Sequence, residues 1–345
     1  MTTTTRGWRV QGIGKGFDAL TWSDDLKLPE LAPNDVLVKF RAASLNYRDL
    51  IIPKGMYPFP LQDGVVPGSD GSGEVVATGE RVSRFKKGDK VLTLFNQRHL
   101  AGSLTPETLL TGLGGVVDGA LREQGIFDEN GLVSMPNNLS YEEAATLPCA
   151  GVTAWNALYG LKPLKPGDCV LTQGTGGVSI FAAQFALAAG ATVISTTSST
   201  AKAETLKKLG VHHVINYRED PDWGTTAKKF SPQGYGVTHV IEVGGPKTIK
   251  QSLDAVRIDG QITIIGFVGG KGEEPSFLEP LNHCCIVRGI LVGSRELFED
   301  MNRAIEANNI KPVVDKKVFE LKELKDAYQY MWDQKHFGKM AIKIA

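Results

Sequence analysis

The sequence predicts an α/β protein with two domains, a β-rich domain followed by a doubly wound parallel sheet. Up to about residue 150, short apolar strands alternate with glycine turns, whereas from residue 151 strand candidates alternate with helical stretches. Strand–helix–strand alternation requires right-handed crossovers and gives a parallel sheet. A chain of 345 residues also exceeds what one hydrophobic core usually supports.

The first domain is predicted for residues 1–150. Its strand candidates are 36–40, 73–76 and 91–94, and Gly88-Asp89 is a turn signal before the last of them. Residues 95–120 carry the weakest pattern and predict an extended loop.

The second domain is predicted for residues 151–288. Its strand candidates are 169–172, 192–195, 214–215, 239–243 and 262–265. Between the first two, a helix has one apolar face formed by Val178, Phe181, Phe185 and Ala188. Residues 289–345 carry a capped helix and a closing strand at 340–344, and we expect this segment to return to the first domain.

A glycine turn at mid-chain predicts a dinucleotide site, because residues 170–181 follow a strand–turn–helix pattern. Gly174 permits a sharp turn, Gly176 lets a phosphate approach the backbone, and the helix start offers free N–H groups. Ser179 replaces the usual third glycine. The candidate contacts are Gly174, Thr175, Gly176, Gly177 and Val178. The alternative is a tight turn in an α/β domain that binds no nucleotide.

The end of the second strand of the sheet favours NADP over NAD. An NAD-binding domain usually has an acidic residue there for the ribose hydroxyls. This chain has hydroxyl groups and a cation, which suit a 2′-phosphate. The candidates are Thr197, Ser198, Lys202 and, after the third strand, Tyr217. Taken alone, Lys202 is equally well explained as a solvated helix residue.

Composition excludes several classes of protein. The formal net charge is zero, so no nucleic acid or anionic membrane is indicated as a partner. No apolar run is long enough to span a membrane, and the polar start lacks the pattern of a signal peptide. The four cysteines form no C-x-x-C motif, which favours a reduced, cytoplasmic protein.

Longer motifs resemble the medium-chain dehydrogenase/reductase superfamily. They are GSDGSGEVV at 68–76, GDKV at 88–91, TQGTGGVS at 172–179 and HFGKM at 336–340. The resemblance covers nearly the whole chain. It implies a GroES-like catalytic domain, closed by the C-terminal segment, and a Rossmann domain that binds the cofactor.

The resemblance also provides a test for zinc. Zinc-dependent members place their catalytic ligands at positions that here hold Asn46, Ser69 and Cys149. Catalytic zinc needs three protein ligands, and only Cys149 is a potential one. Residues 90–125 contain no cysteine, so the ligands of the structural zinc are missing too. The resemblance therefore implies a zinc-free member, similar to quinone oxidoreductases and enone reductases.

Without a metal, side-chain donors must stabilise negative charge on the substrate oxygen. The candidate catalytic residues are Asn46, Tyr47, Arg48 and Tyr57. Asn46 could instead form a turn and Arg48 an ion pair with Asp49, and solvent is an alternative source of the proton. Asp70 is interpreted as an orienting residue.

The resemblance places further cofactor contacts near the carboxyl ends of strands and in flanking segments. They are Thr153, Val243, Gly266, Phe267, Val268, Val292, Ser294 and Lys339. The glycine segments among them could also be ordinary turns. Residues 282–285, Asn-His-Cys-Cys, are interpreted as core strand rather than as metal ligands, since successive strand residues face opposite sides. The apolar strand after them could pair across a two-fold axis, and the resemblance implies a homodimer.

The leading hypothesis is an NADPH-dependent, zinc-independent oxidoreductase that reduces quinones or α,β-unsaturated carbonyls by hydride transfer. One alternative is a zinc-free alcohol, aldehyde or ketone oxidoreductase. A second, from another class, is a non-catalytic NADPH-binding redox sensor.

Overall fold

The computed structural model describes residues 4–270, 272–273 and 275–344. The chain divides into two compact units, Met1–Val152 with Gly293–Ala345, and Thr153–Val292. Among the described residues, no helix is both long and apolar enough to cross a membrane.

The strands follow one another in the chain as β1 (Thr4–Val10), β2 (Leu20–Lys27), β3 (Asp35–Leu45), β4 (Asp70–Thr78), β5 (Lys90–Thr93), β6 (Gln124–Asp128), β7 (Leu132–Ser134), β8 (Cys169–Gln173), β9 (Thr192–Thr197), β10 (His213–Asn216), β11 (Val237–Glu242), β12 (Val256–Ile264), β13 (Ile286–Gly289), β14 (Phe319–Glu320) and β15 (Met340–Lys343).

The α-helices are α1 (Tyr47–Ile51), α2 (Pro106–Leu109), α3 (Tyr141–Ala144), α4 (Val152–Tyr159), α5 (Gly177–Ala188), α6 (Thr200–Lys208), α7 (Trp223–Phe230), α8 (Ile249–Ala255), α9 (Glu279–Asn282), α10 (Arg295–Ala307) and α11 (Leu324–Trp332). A π-helical turn, Leu147–Gly151, leads into α4.

The first unit is built on a mostly antiparallel sheet with the order β14-β15-β3-β4-β5-β7, and β6 also pairs with β3. Buried and half-buried residues alternate along the first half of β3, as expected when one face of a strand covers a core. The closing strand β15 pairs antiparallel with β3, from Met340 opposite Leu45 to Lys343 opposite Ala42. The C-terminal segment thereby completes this sheet.

The second unit is a six-stranded parallel sheet with the order β10-β9-β8-β11-β12-β13. Its central strands β8 and β11 are buried along their whole length, which requires cover on both faces. This strand order is that of a Rossmann fold, whose two halves diverge between the first and fourth strands, here β8 and β11. The predicted α/β fold class is confirmed.

The interpretation of residues 282–285 as core strand is wrong. Asn282 ends α9, Cys284 has a left-handed backbone with φ of 46° and is exposed, and β13 begins only at Ile286. Polar and apolar residues in so short a run fit a turn as well as a strand, and the sequence carries no glycine to mark the turn.

Candidate functional site

The glycine turn lies between β8 and α5. Gly174 has φ of 72°, a conformation that glycine adopts without strain. A Cβ placed on Gly174 or Gly176 would meet no atom within 4 Å, so there is room beside the start of α5 for a phosphate group. Ser179, buried in the first turns of the helix, donates a hydrogen bond of 2.6 Å to the carbonyl of Gln173 and closes the turn. The turn therefore fits the pyrophosphate of a dinucleotide.

The residues predicted to select NADP lie around the carboxyl ends of two neighbouring strands. β9 ends at Thr197, and the backbone N–H of Tyr217, just after β10, donates to the Thr197 carbonyl at 3.1 Å. Ser198 follows directly, and Lys202 lies in the first turn of α6. Ser198 and Lys202 are half-buried, and Tyr217 is 43% exposed. The structure thus brings these four residues to one edge of the sheet.

The residues after β11 and after β12 that are predicted to contact the cofactor are joined by backbone hydrogen bonds. Val268 N–H donates to the Val243 carbonyl at 3.1 Å, and Gly269 N–H donates to the Gly244 carbonyl at 3.0 Å. Gly266 is half-buried, whereas Phe267 and Val268 are 43% and 44% exposed. These segments form one surface beyond the strand ends.

Val292, shortly after β13, has a left-handed backbone with φ of 52°, which is unusual for a β-branched residue. Its carbonyl accepts a hydrogen bond of 2.6 Å from the amide of Asn156. Strained residues of this kind cluster at binding sites, where surrounding contacts hold them in place. Thr153 is buried near the start of α4.

The remaining predicted cofactor residues, Ser294 and Lys339, belong to the first unit. Ser294 is the N-cap of α10, and its hydroxyl accepts from the N–H of Leu297. Lys339 is buried beside Asn46, one of the candidate catalytic residues.

Lys339 and Asp70 form the centre of a buried charged cluster. The Nζ of Lys339 lies 2.5 Å from Asn46 Oδ1, 2.7 Å from the Leu45 carbonyl and 3.3 Å from Asp70 Oδ2. These three contacts use all three protons of the ammonium group. Because an ammonium only donates, Asn46 must turn its oxygen towards Lys339, and its Nδ2 is left to donate elsewhere. In the described structure that group faces Ser69 Oγ at 3.4 Å, a long contact.

Arg48 is buried, and its guanidinium group packs against the ring of Tyr57. Its guanidinium donates to the Leu113 carbonyl at 2.9 Å and lies 5.1 Å from the centre of the Tyr57 ring and 4.7 Å from that of Phe95. Burial raises the pKa of Tyr57, although Arg48 opposes this effect. The Tyr57 hydroxyl therefore keeps its proton at neutral pH and is a hydrogen-bond donor.

Tyr47 has a different environment. It is half-buried, and its ring stacks on Trp332 with the two planes 4° apart. Burial raises the pKa of its hydroxyl.

Two acidic groups in the cluster have raised pKa values. Burial raises the pKa of Asp49 to about 6, although Arg48 at 3.3 Å opposes it. Burial and the negative charge of Asp70 also raise the pKa of the Cys149 thiol. The Cys149 thiol therefore keeps its proton at neutral pH and is not a thiolate nucleophile.

Sequence reasoning missed the contact between Lys339 and Asn46, because the two residues are far apart in the chain and only the pairing of β15 with β3 brings them together. It also missed Phe95, which carries no sequence signal beyond being apolar.

Within residues 4–270, 272–273 and 275–344, no three His, Cys, Asp or Glu side chains are grouped as a metal site would need.

Comparison with known proteins agrees with this arrangement. Residues 32–137 match the alcohol dehydrogenase GroES-like domain, and residues 177–307 match the family described as zinc-binding dehydrogenase. The fold and the two sites define an oxidoreductase that is expected to use a nicotinamide cofactor. The chain belongs to the medium-chain dehydrogenase/reductase superfamily.

Individual relatives match over most of the chain. A zinc-type alcohol dehydrogenase-like protein of Schizosaccharomyces pombe is 51% identical, with 95% of this chain and 96% of that protein covered. A 2-methylene-furan-3-one reductase of Solanum lycopersicum is 28% identical, with 98% and 78% covered. The crystal structure of a putative alcohol dehydrogenase from Sinorhizobium meliloti is 36% identical, covers both chains completely and has a TM-score of 0.90.

Proposed function

We propose that this protein is an NADPH-dependent oxidoreductase that reduces quinones or α,β-unsaturated carbonyls without zinc. The observation that carries the proposal is the position of Lys339. Its ammonium group bonds to the oxygen atoms of Asp70 and of Asn46, and Asn46 stands at one of the three positions where zinc-dependent members hold a ligand. The residues present therefore do not fit zinc, and no step of the mechanism uses one.

The chain's own groups supply the polar part of the reaction. Bound NADPH would supply the hydride, and the substrate would take up that hydride together with one proton from Tyr57 or from solvent. The Nδ2 of Asn46, held in orientation by Lys339, and the hydroxyl of Tyr57 are the donors that stabilise negative charge on the substrate oxygen. Tyr57 holds a proton at its Oη, and the guanidinium group of Arg48 packs against its ring.

Conjugated acceptors are favoured as substrates, because two neutral hydrogen-bond donors are enough to stabilise the negative charge that forms on them. Hydride addition to an enone or a quinone spreads the negative charge over an enolate or a hydroquinone anion, whereas reduction of a simple aldehyde concentrates it on one oxygen. One relative is named as a reductase of a 2-methylene-furan-3-one, which is a conjugated ketone.

Steady-state assays of NADPH oxidation test this proposal. We expect turnover with menadione and cyclohexenone to exceed turnover with benzaldehyde, and we expect EDTA dialysis to leave the rate unchanged. More than half an equivalent of tightly bound zinc, together with loss of activity on chelation, would contradict the zinc-free mechanism.

The second candidate function is zinc-free oxidoreduction of alcohols and simple carbonyls. Two relatives, named as alcohol dehydrogenase-like and as a putative alcohol dehydrogenase, favour alcohols as the substrate class. Turnover of benzyl alcohol with NADP⁺, at a rate above that with the conjugated acceptors, would establish it instead. Tight NADPH binding without turnover of any of these compounds would support a redox sensor.

The preference for NADP is supported by Ser198 and Lys202, which lie beside the end of β9. Replacing Lys202 with alanine removes a charge-assisted contact to the 2′-phosphate, so the KM for NADPH should rise about tenfold while that for NADH stays the same. Lys207→Ala is the matched control, because Lys207 lies on the same helix and pairs with Glu204. A lower KM for NADH than for NADPH in the wild type would refute this preference.

The proposal includes a homodimer in the cytoplasm. β13 is an outer strand of the described sheet, and apolar side chains beside it are exposed: Leu278 by 46%, Leu281 by 71% and Ile286 by 39%. A second copy that pairs at β13 would cover both the backbone groups and these side chains.

A cytoplasmic location is supported by the four cysteines, all of which are unpaired.

A further inference from the structure

Glu242 is a completely buried carboxylate at the last position of β11. Among the described residues it has no ion-pair partner. Its neighbour across the sheet is Gln173, the last residue of β8, because the two strands pair in parallel up to the preceding position. In a sheet of this strand order, the dinucleotide crevice opens between these two strands. Glu242 and Gln173 therefore lie at the floor of the predicted cofactor site.

Hydrogen bonds fix the orientation of the Gln173 side chain. The backbone N–H of Val243 donates to its Oε1 at 3.2 Å, and the N–H of Gly244, which is shared with Glu242, lies 3.3 Å from the same atom. Because backbone N–H groups only donate, the carbonyl end of Gln173 must face them. Its Nε2 then donates to Glu242 Oε2 at 2.7 Å and to Ser252 Oγ at 2.8 Å.

Hydrogen bonds also surround both oxygen atoms of Glu242. The Ser252 hydroxyl accepts from Gln173 and so directs its own proton to Glu242 Oε2. The other oxygen, Oε1, accepts from the N–H groups of Gly244 at 2.8 Å and Gly245 at 2.9 Å, and from the Thr248 hydroxyl. Five groups that can donate surround the carboxyl group, two backbone N–H groups, one amide and two hydroxyls, which is the hydrogen-bonding environment of a carboxylate.

We propose that Glu242 is a positioning residue for the cofactor, an inference that rests on the proposed nicotinamide binding. The carboxylate holds the segment 243–245 in a tight turn and ties it to Gln173. The backbone carbonyl of Gln173 in turn accepts from the Ser179 hydroxyl at the start of α5. One buried anion thus sets the spacing between the two sides of the crevice, the glycine turn after β8 and the segment after β11.

A reciprocal exchange of the two side chains tests this assignment. In Glu242→Gln, two amide NH₂ groups face each other and one acceptor is missing. In Gln173→Glu, two carboxylates face each other at the distance of a hydrogen bond, and one must take up a proton. In the double variant E242Q/Q173E, every donor again faces an acceptor, because the amide and the carboxylate have only exchanged sides.

The measurement is the Kd of the free protein for NADPH and for NADH by calorimetry, with the tighter ligand used for all variants. Each single variant should bind at least about tenfold more weakly, since an unmet buried hydrogen bond to a charged group is costly. The affinity of Q173E should recover as the pH is lowered. The double variant should bind more tightly than either single one.

Thr172→Val is the matched control for general loss of stability. It removes the buried contact of 2.7 Å between the hydroxyls of Thr172 and Ser195, on the neighbouring strands β8 and β9. It should lower the thermal midpoint and leave the Kd unchanged. If E242Q unfolds, Ser252→Ala, which removes one donor of five, should still weaken binding measurably.

Wild-type affinity in E242Q or S252A, or a double variant that binds no better than the single ones, would overturn the inference alone. A wild-type protein that binds neither nicotinamide cofactor would overturn the proposed function and this inference with it.

Discussion

Asn46 is the residue on which the proposed chemistry depends most. Its oxygen is held by Lys339, so only its amide NH₂ remains to donate. Asn46→Asp keeps the size of the side chain and removes that donor. We expect kcat with cyclohexenone to fall about a hundredfold, as for loss of one oxyanion donor, with the Kd for NADPH unchanged. An equal loss in kcat and in cofactor binding would show that Asn46 acts only in the structure of the unit.

Asp49 should make the stability of the protein depend on pH. Its pKa is raised to about 6, so the folded state binds this proton more tightly than the unfolded state does. The resulting stabilisation is present below about pH 4 and is lost as the pH rises through about 6, a change of about 3 kcal/mol.

Asp49→Asn removes this titration while keeping one oxygen to accept from the N–H of Asn46. The wild type should therefore lose stability relative to D49N between about pH 4 and about pH 7, measured as the free energy of unfolding. A difference between the two proteins that stays constant over this range would contradict the raised pKa.

Single residues were predictable where their role follows from local sequence. Gly174 is an example, because a strand, a glycine and an apolar helix adjoin in the chain, and the turn has the positive φ that the glycine permits. The environments of Lys339 and Glu242 were not predictable. Each depends on hydrogen bonds between residues that are distant in the chain, and no local pattern specifies them.

At the scale of elements, the glycine turn offers the sharpest test of cofactor binding. Gly176 has φ of −75° and ψ of 169°, which any residue adopts, and a Cβ there meets no atom within 4 Å. Gly176→Val should therefore lower the thermal midpoint only through the poorer helix N-cap that valine makes, and it should abolish measurable NADPH binding in calorimetry, because the side chain fills the space for the phosphate.

Gly174→Ala provides the contrast. Its φ of 72° strains a residue with a side chain by about 1–2 kcal/mol, so this variant should lower the thermal midpoint. Unchanged NADPH affinity in G176V would show that the pyrophosphate does not lie at this turn.

The strands of the parallel sheet were predicted well because their apolar, β-branched residues stand between turn residues. The predicted strand 192–195 and the observed β9 (Thr192–Thr197), for example, begin at the same residue. The segment before β13 was predicted wrongly. A left-handed residue at Cys284, stabilised by surrounding structure, ends the short helix where the sequence shows only polar residues next to an apolar strand.

At the scale of the whole molecule, the proposed homodimer can be tested at the outer strand β13. A lysine in place of Ile286 puts a charge into the apolar edge where a second copy is proposed to pair. We expect I286K to sediment at half the mass of the wild type, with the Kd for NADPH retained. Val318→Lys is the control, because Val318 is similarly exposed, 43% against 39%, and lies in the other unit. A wild type that sediments as a monomer, or an I286K variant that remains a dimer, would refute pairing at β13.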